Sequence, residues 1–379
     1  MSGEHSELRL ARAYLLRVAE PPAKAVLGFI ADNGVLAAAR LVREGAVPAE
    51  VGEETAARRG LDRAAADLEL AARLGARLVT PEDDEWADWP LAALDIAAAR
   101  GVRLAGQPLA LWVRGSVPLV ELAEHAVAVV GSRAATGYGE HLAAEFGYGL
   151  AGAGFTVVSG AAYGVDGAAH RGCLAAGAPT VAVLACGLDV CYPAGHADLL
   201  DRAAGVGAVI SEYPPGTPPA RHRFLVRNRL IAALSAGTVI IEAARRSGAR
   251  NTAATARALG RSVMAVPGPV SSAMSAGCHE MLRNQEATLV TGVDEVLEEV
   301  GKLGIDLAQR PEVRCSETDG LDGQSMRVFE AITKGDGRSA ERVSLESGVE
   351  LGTVRALLPA LELAGLARRC ESGWRRADA

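Results

Sequence analysis

Between Ala126 and about Val300 the chain alternates short, unbroken apolar runs with longer stretches rich in glycine and alanine. The runs are AVAVV (126–130), FTVV (155–158), TVAVL (180–184), AVI (208–210), TVII (238–241), SVMAV (262–266) and ATLV (287–290). Each is short, β-branched and apolar on both faces, which fits a strand covered on both sides, and the segments between them have the length of crossover helices. One large parallel sheet of seven strands is predicted. In one intervening segment Leu142, Phe146 and Leu150 recur at helical spacing, predicting a helix from about Gly137 to Gly152 with Thr136 as its N-cap.

The flanks follow other patterns. Residues 7 to about 75 show helix-period leucines and valines broken by Pro21-Pro22, Gly34 and Gly45, a small helical module. Residues 80–120 carry Trp86, Trp89 and Trp112, expected to pack this connecting stretch onto its neighbour. After Lys302 the run GIDLAQRPEVRCSETDGLDGQ is polar and aperiodic, a linker by composition. SMRVFEAI, SAERVSLESGV and LGTVRALLPALELAGLARRCESGWRRA then predict three helices and a hairpin, with Val354, Leu357, Leu358 and Leu361 on one apolar face. That layout suggests a winged helix. Its third helix is a poor DNA reader, since Arg355 is flanked by Glu350 and Glu362, and a protein-binding or structural role suits it as well. The expected division is a small helical (SAM-like) domain 1–75, a Rossmann-like domain with its N-terminal extension 76–302, a linker 303–324 and a winged-helix domain 325–379. The fold class is α/β.

Composition narrows the chemistry. With 379 residues, 49% hydrophobic and 22% charged, the chain folds, and into more than one domain. It has no apolar run of membrane-spanning length, and MSGEHSELRLARAYL places acids where a signal core would lie, so a cytoplasmic protein without a membrane partner is expected. Cys173, Cys186, Cys191, Cys278, Cys315 and Cys370 form no Cys-x-x-Cys pair and read as reduced thiols. Cys186, Cys191 and His196 lack a fourth ligand at a sensible spacing, so neither a metal nor another cofactor is expected.

The net charge of −7 argues against a polyanionic partner, but its distribution argues the other way. From Tyr213 to Ser262 there are nine arginines (221, 223, 227, 229, 245, 246, 250, 257 and 261) against one acid, Glu242. Arginine's planar fork suits phosphate and stacks on bases. The predicted strands end in GSR (131–133), SGAAYGVD (159–166), ACG (185–187), SEYPPG (211–216), EAARRSG (242–248) and PGP (267–269). Small and polar residues there let a ligand approach the backbone, and in open parallel sheets the ligand crevice lies outside these carboxyl ends.

Two nucleotide chemistries are excluded. GSRAATGYG lacks the first glycine pair of a dinucleotide fingerprint, and with no lysine between 126 and 300 there is no P-loop. A nucleotide N-glycosidase would need carboxylates, for which Asp166, Asp189, Glu212 and Glu242 are available, Asp166 as a helix cap or first-turn acid. No two of them share a motif, so this hydrolase reading stands second. Single-stranded nucleic acid needs a cationic groove and stacking faces. Tyr138, Tyr163, Tyr192, Tyr213 and Phe224 fall in loops after strands, although Tyr192 and Tyr213, each followed by proline, are expected to seal loops. Within FLVRNRLIAAL, Arg227 and Arg229 point about 200° apart on a helix. Arg221, Phe224 and Arg227 are therefore expected to face the crevice, Asn228 to bond backbone, and Arg229 to pair with Glu212 or Glu242.

These residues resemble the DNA-processing protein A family (DprA, also called Smf). The likeness spans roughly Leu78 to Val300 and rests on GSR (131–133), SGAAYGVDGAAH (159–170), GLDVCYP (187–193), ISEYPPG (210–216), FLVRNRLI (224–231) and AVPGPV (265–270). Leu225 stands where the family often has proline. The resemblance implies an extended Rossmann-like fold that binds single-stranded DNA without catalysis, forms homodimers, and delivers DNA to the recombinase RecA in natural transformation. The DNA-binding set it implies, with neighbours on the same loops, is Gly131, Ser132, Arg133, Ser159, Gly160, Arg221, Phe224, Arg227, Asn228, Arg229, Ser247, Gly248 and Arg250.

Overall fold

The computed structural model describes residues 3–301, 318 and 320–377. Most of the stretch read as a linker, with Cys315, lies outside the described residues. The chain divides into two compact units, Met1–Gln309 and Arg310–Ala379.

The first unit is built on a nine-stranded sheet: β1 (Ala76–Val79), β2 (Leu111–Arg114), β3 (Ala126–Val130), β4 (Thr156–Ser159), β5 (Thr180–Leu184), β6 (Ala208–Ser211), β7 (Gly237–Ile240), β8 (Ser262–Ala265) and β9 (Thr288–Leu289). The order is β1-β2-β6-β5-β4-β3-β7-β8-β9. All seven predicted strands are present, and they pair parallel. Two four-residue strands were not foreseen: β2 joins β6 antiparallel and β1 joins β2 antiparallel. They lie at either end of the stretch read as a connector. Trp86 and Trp112 are buried as expected, but Trp89 is 83% exposed and ties nothing down.

The chain steps outward from β3 through β4, β5 and β6, then returns to the other flank of β3 with β7, β8 and β9. The pair β3/β7 is thus the topological switch point, where a crevice opens because the connections leave toward opposite faces. Residue parity along β3 divides the core. Val127 and Val129 face Phe146 and Leu150 of the helix Gly137–Gly152, while Ala126, Ala128 and Val130 face Leu230 and Ile231 of the helix Arg221–Ala233. Thr136 caps the former helix by accepting from the Gly139 N–H at 3.3 Å. Each fully buried side chain of Phe146 or Leu230 size contributes about 1.5–3 kcal/mol of transfer free energy.

The N-terminal helices Gly3–Val18, Lys24–Asn33, Val35–Glu44, Ala49–Thr55 and Ala64–Arg73 share a core with Leu78, Trp112, Leu184 and Val209 of the sheet. Polar ties reinforce the seam: Arg12 donates to Glu82, and Arg17 to Asp67 and to the Pro215 carbonyl. Glu20 accepts from Arg58 and Arg223. Burial alone would raise the Glu20 pKa, but the hydrogen bonds from Arg223 and Arg58 outweigh it and hold the carboxyl low. Among the described residues no single helix is long and apolar enough to cross a membrane.

The second unit has helices Gly323–Ala331, Ala340–Ser347 and Leu351–Leu363 and a hairpin of β10 (Ala367–Cys370) with β11 (Gly373–Arg376). Asp322 and Ser339 cap the first two helices. Arg338 bridges to Trp374 of β11 beside the hairpin, and Val328, Ile332, Val354 and Leu358 form its core. Arg355 is committed to Glu341 at 2.7 Å.

Candidate functional site

A cleft of about 580 Å³ opens at the carboxyl ends of β3 and β7. Its walls are the loop after β3 (Gly131 to Ala134), the loop after β7 with the first turn of the helix Gly248–Ala258, and the first two turns of the helix Arg221–Ala233. Beside it a cavity of about 340 Å³ lies over β4 and β5, bounded by Gly160, Tyr163, Leu184, Cys186 and Tyr192. Arg133 and Phe224 line both spaces and form the partition between them. The Arg133 guanidinium lies over the Phe224 ring, 4.5 Å from its centroid, and the Tyr192 ring stands 5.3 Å from Phe224 with a 42° tilt.

Arg227 forms the floor. It is 3% exposed, donates from Nη1 to the Val183 carbonyl, and leaves Nε without a partner. Burial pulls its pKa down to about 10, against the opposing pull of Asp166, so the group stays cationic at neutral pH. Asp166 is buried nearby in the first turn of the helix Val165–Ala175; desolvation raises its pKa, opposed by Arg227 and by the Ala162 N–H. A buried cation with an idle donor costs stability unless an anion satisfies it.

The backbone around this floor is tightly specified. A Cβ on Gly160 would collide with the Arg227 guanidinium, so residue 160 has no room for a side chain. Gly164 takes φ +73°, and a side chain there would strike the Ser132 carbonyl. Ala161 adopts a left-handed φ of 52°, sparsely populated for a residue with a Cβ. Its carbonyl is 2.9 Å from His196 Nδ1, and the His196 ring packs edge-on to Tyr163 at 4.9 Å. His196 thus supports this loop.

At the opposite wall the first turn of the helix Gly248–Ala258 lines the cleft. N–H groups in a first helical turn have no intrahelical acceptor and favour anions. Asn228 joins this wall to its neighbour, with Nδ2 3.3 Å from the Gly248 carbonyl and 3.5 Å from Asn251 Oδ1. Ser247 lines the cleft, and its Oγ has no partner.

Of the predicted residues, Gly131, Ser132, Arg133, Arg221, Phe224, Arg227, Asn228, Ser247 and Gly248 line this cleft, and Gly160 lines the adjoining cavity. Three do not. Ser159 is buried at the end of β4, its Oγ donating to the Val129 carbonyl at 2.6 Å. Arg229 is wholly buried and grips Glu212 through two 2.7 Å bonds, because its position on the helix points into the core. Arg250 lies outside the cleft, bonded to Glu280 at 2.8 Å and to the Arg245 carbonyl at 3.0 Å. Arg246 lines the cleft and was missed, since nothing in the pair Arg245-Arg246 tells which one turns inward. Tyr192, expected to seal a loop, forms part of the stack, whereas Tyr213 is buried beneath Arg223.

The basic run is therefore divided. Arg221, Arg227 and Arg246 face the cleft, while Arg223, Arg229, Arg250 and Arg257 pair with Glu20, Glu212, Glu280 and Glu286. Most of the carboxylates are also committed. Glu242 accepts from the N–H and hydroxyl of Thr136, at 2.9 and 2.7 Å, instead of pairing with an arginine. Asp189 accepts from the Gly216 N–H.

Known proteins share both sequence and fold. The family model of DNA recombination-mediator protein A matches residues 77–301. A putative DNA processing protein DprA of Mycobacterium tuberculosis (strain CDC 1551 / Oshkosh) is 49% identical over 363 residues, covering 96% of this chain and 93% of that protein. The DNA processing protein DprA of Streptococcus pneumoniae (strain ATCC BAA-255 / R6) is 40% identical over 192 residues, 51% of this chain and 67% of its own length. The X-ray structure of DprA from Streptococcus pneumoniae superimposes with a TM-score of 0.63 at 29% identity, over 78% of this chain and 98% of that one. With the family pattern running from β1 to the last helix of the sheet unit and a relative matched almost end to end, this chain belongs to the DNA recombination-mediator protein A family.

Proposed function

We propose that the cleft binds single-stranded DNA, and that the protein acts in DNA recombination as a binder rather than a catalyst. One juxtaposition carries the reading: the buried, incompletely bonded Arg227 cation lies beside the Arg133–Phe224–Tyr192 stack. The cation, with Arg221, Arg246 and the N–H groups of the Gly248 turn, suits phosphates. The guanidinium plane and aromatic rings suit unpaired bases, which stack without sequence preference and are worth about 1–3 kcal/mol each. Paired bases in a duplex do not offer their faces.

A glycosidase reading is weaker. Glu212 and Glu242 are engaged with Arg229 and Thr136, and Asp166 is the one acid among the residues lining the cleft. A carboxylate pair flanking a scissile bond, the usual arrangement, is not formed there.

The same reading carries the family's implied role: the protein protects incoming or processed single strands and promotes loading of RecA, as a cytoplasmic homodimer, in natural transformation. Competition binding tests the cleft. A labelled unpaired oligonucleotide should be displaced by single strands of any base composition far better than by duplex. Release of free base from a nucleoside monophosphate, lost on substituting Asp166, would favour the hydrolase instead.

A further inference from the structure

Beyond the central cleft, on the β8 side, lies a polar basin of about 530 Å³, whose lining includes Arg245, Val270, His279, Glu280, Arg283 and Asn284. The consecutive residues Arg245 and Arg246 divide the two spaces: Arg246 lines the cleft and Arg245 the basin. On the other flank Arg133 lines both the cleft and the cavity over β4 and β5. Three hollows therefore stand in a row along the carboxyl edge of β5-β4-β3-β7-β8, with arginine at each divide. At about 4.8 Å between neighbouring strands, this edge spans roughly 19 Å, enough for several nucleotides.

The charge of the basin fits the same ligand. Glu280 is its one acid, and it is offset by Arg250 at 2.8 Å. His279 Nε2 is engaged with the Gly268 carbonyl at 2.9 Å. Arg245 and Arg283 are exposed and make no ion pair within 4 Å among the described residues. No phenylalanine, tyrosine or tryptophan lines the basin and its one ring, His279, is tied to the Gly268 carbonyl, so it suits phosphate and sugar rather than a stacked base.

Resting on the single-strand reading of the cleft, we infer that this basin is a phosphate subsite for the continuation of the same strand, which crosses the Arg245-Arg246 divide and leaves past Arg283. The central cleft holds bases and phosphates together; the basin holds backbone alone. Strands too short to leave the cleft do not feel it.

The test uses the full-length protein, the pair R245A/R283A, and labelled unpaired oligonucleotides of about 4 and about 12 nucleotides, within the range of known single-strand site sizes. The longer strand is expected to lose roughly tenfold in affinity and roughly 0.7 of its logarithmic salt slope per lost contact. The shorter strand keeps its affinity, and R245K/R283K restores the longer one. Unchanged affinity for the longer strand, or an equal loss at both lengths, overturns the subsite while leaving the cleft in place. If the wild type binds neither length, the cleft reading fails and the subsite with it.

Discussion

Arg133 and Phe224, drawn from the loop after β3 and from the first turn of the helix Arg221–Ala233, meet face to edge-of-cleft at 4.5 Å and together separate the two spaces over the carboxyl ends of the strands. A guanidinium stacked on a ring is held flat with its donors still free at the rim, a geometry that can serve a base and a phosphate together. Removing either partner should weaken single-strand binding without unfolding the protein, as Arg133 is exposed and Phe224 half-buried. Phe224→Ala is expected to cost about 1–3 kcal/mol of binding free energy. Fluorescence anisotropy checks this, and the double variant with Arg133→Ala should lose less than the sum of the two, because the residues act as one unit.

Gly160→Ala makes a sharper point about the floor. Its methyl would occupy the space of the Arg227 guanidinium, which has to move or tilt. Affinity should fall about as far as in Arg227→Ala, and adding Gly160→Ala to Arg227→Ala should change little further. Additive losses in the binding isotherms would show that the glycine acts elsewhere.

The buried pair Arg229–Glu212 predicts a loss of stability instead. Arg229→Ala leaves the Glu212 carboxylate buried among apolar side chains and should destabilise by about 3–5 kcal/mol. Replacing both, Arg229→Met with Glu212→Leu, should recover much of that loss. Denaturant melts provide the measurement, and any protein that remains folded should bind single strands normally.

The architecture was legible because β3 to β8 are covered on both faces and largely apolar, whereas β9, two exposed residues at the sheet edge, showed only as the short run ATLV. The flanking strands β1 and β2 were not legible, since β2 lies in a stretch marked mainly by tryptophans and β1 falls at the break between the helical module and that stretch. Arg133, Phe224 and Arg227, singled out from the motif loops and the helix phase, line one cleft, and Arg229, expected to pair with Glu212 or Glu242, pairs with Glu212. Local charge was a poorer guide. A run of nine arginines looks like one patch, but acids far away in sequence, Glu20, Glu280 and Glu286, claim several of them. Tertiary pairing of that kind leaves no trace in local spacing, which is why Arg250 was expected at the cleft although Glu280 holds it elsewhere; Arg246 was missed because nothing in the pair Arg245-Arg246 tells which one turns inward.

His170 sets a pH dependence. Its Nδ1 is 2.7 Å from the Thr180 hydroxyl, which itself donates to the Val157 carbonyl, so the ring is the neutral Nδ1–H tautomer. Burial holds its pKa down at about 3, against an ordinary 6.5. The unfolded chain therefore binds the extra proton between those values, and stability present above about pH 6.5 declines as pH falls, by up to about 1.4 kcal/mol per pH unit from this residue. The low pKa of Glu20 acts in the same direction further down the scale, and the raised pKa of Asp166 opposes it. His170→Asn keeps a donor toward Thr180 without the titration. Calorimetric Tm values between about pH 7.5 and pH 5.5 should fall less steeply in that variant than in the wild type.

The salt dependence of single-strand affinity tests the central claim most directly. If Arg133, Arg221, Arg227 and Arg246 each neutralise a phosphate of a strand of about 4 nucleotides, log affinity plotted against log salt should fall with a slope near −3, at roughly 0.7 per contact, and the slope should shrink by about 1.4 in the double variant Arg133→Ala/Arg227→Ala. A flat plot, or a slope that the double variant leaves unchanged, would contradict the assignment of this cleft to a nucleic-acid backbone.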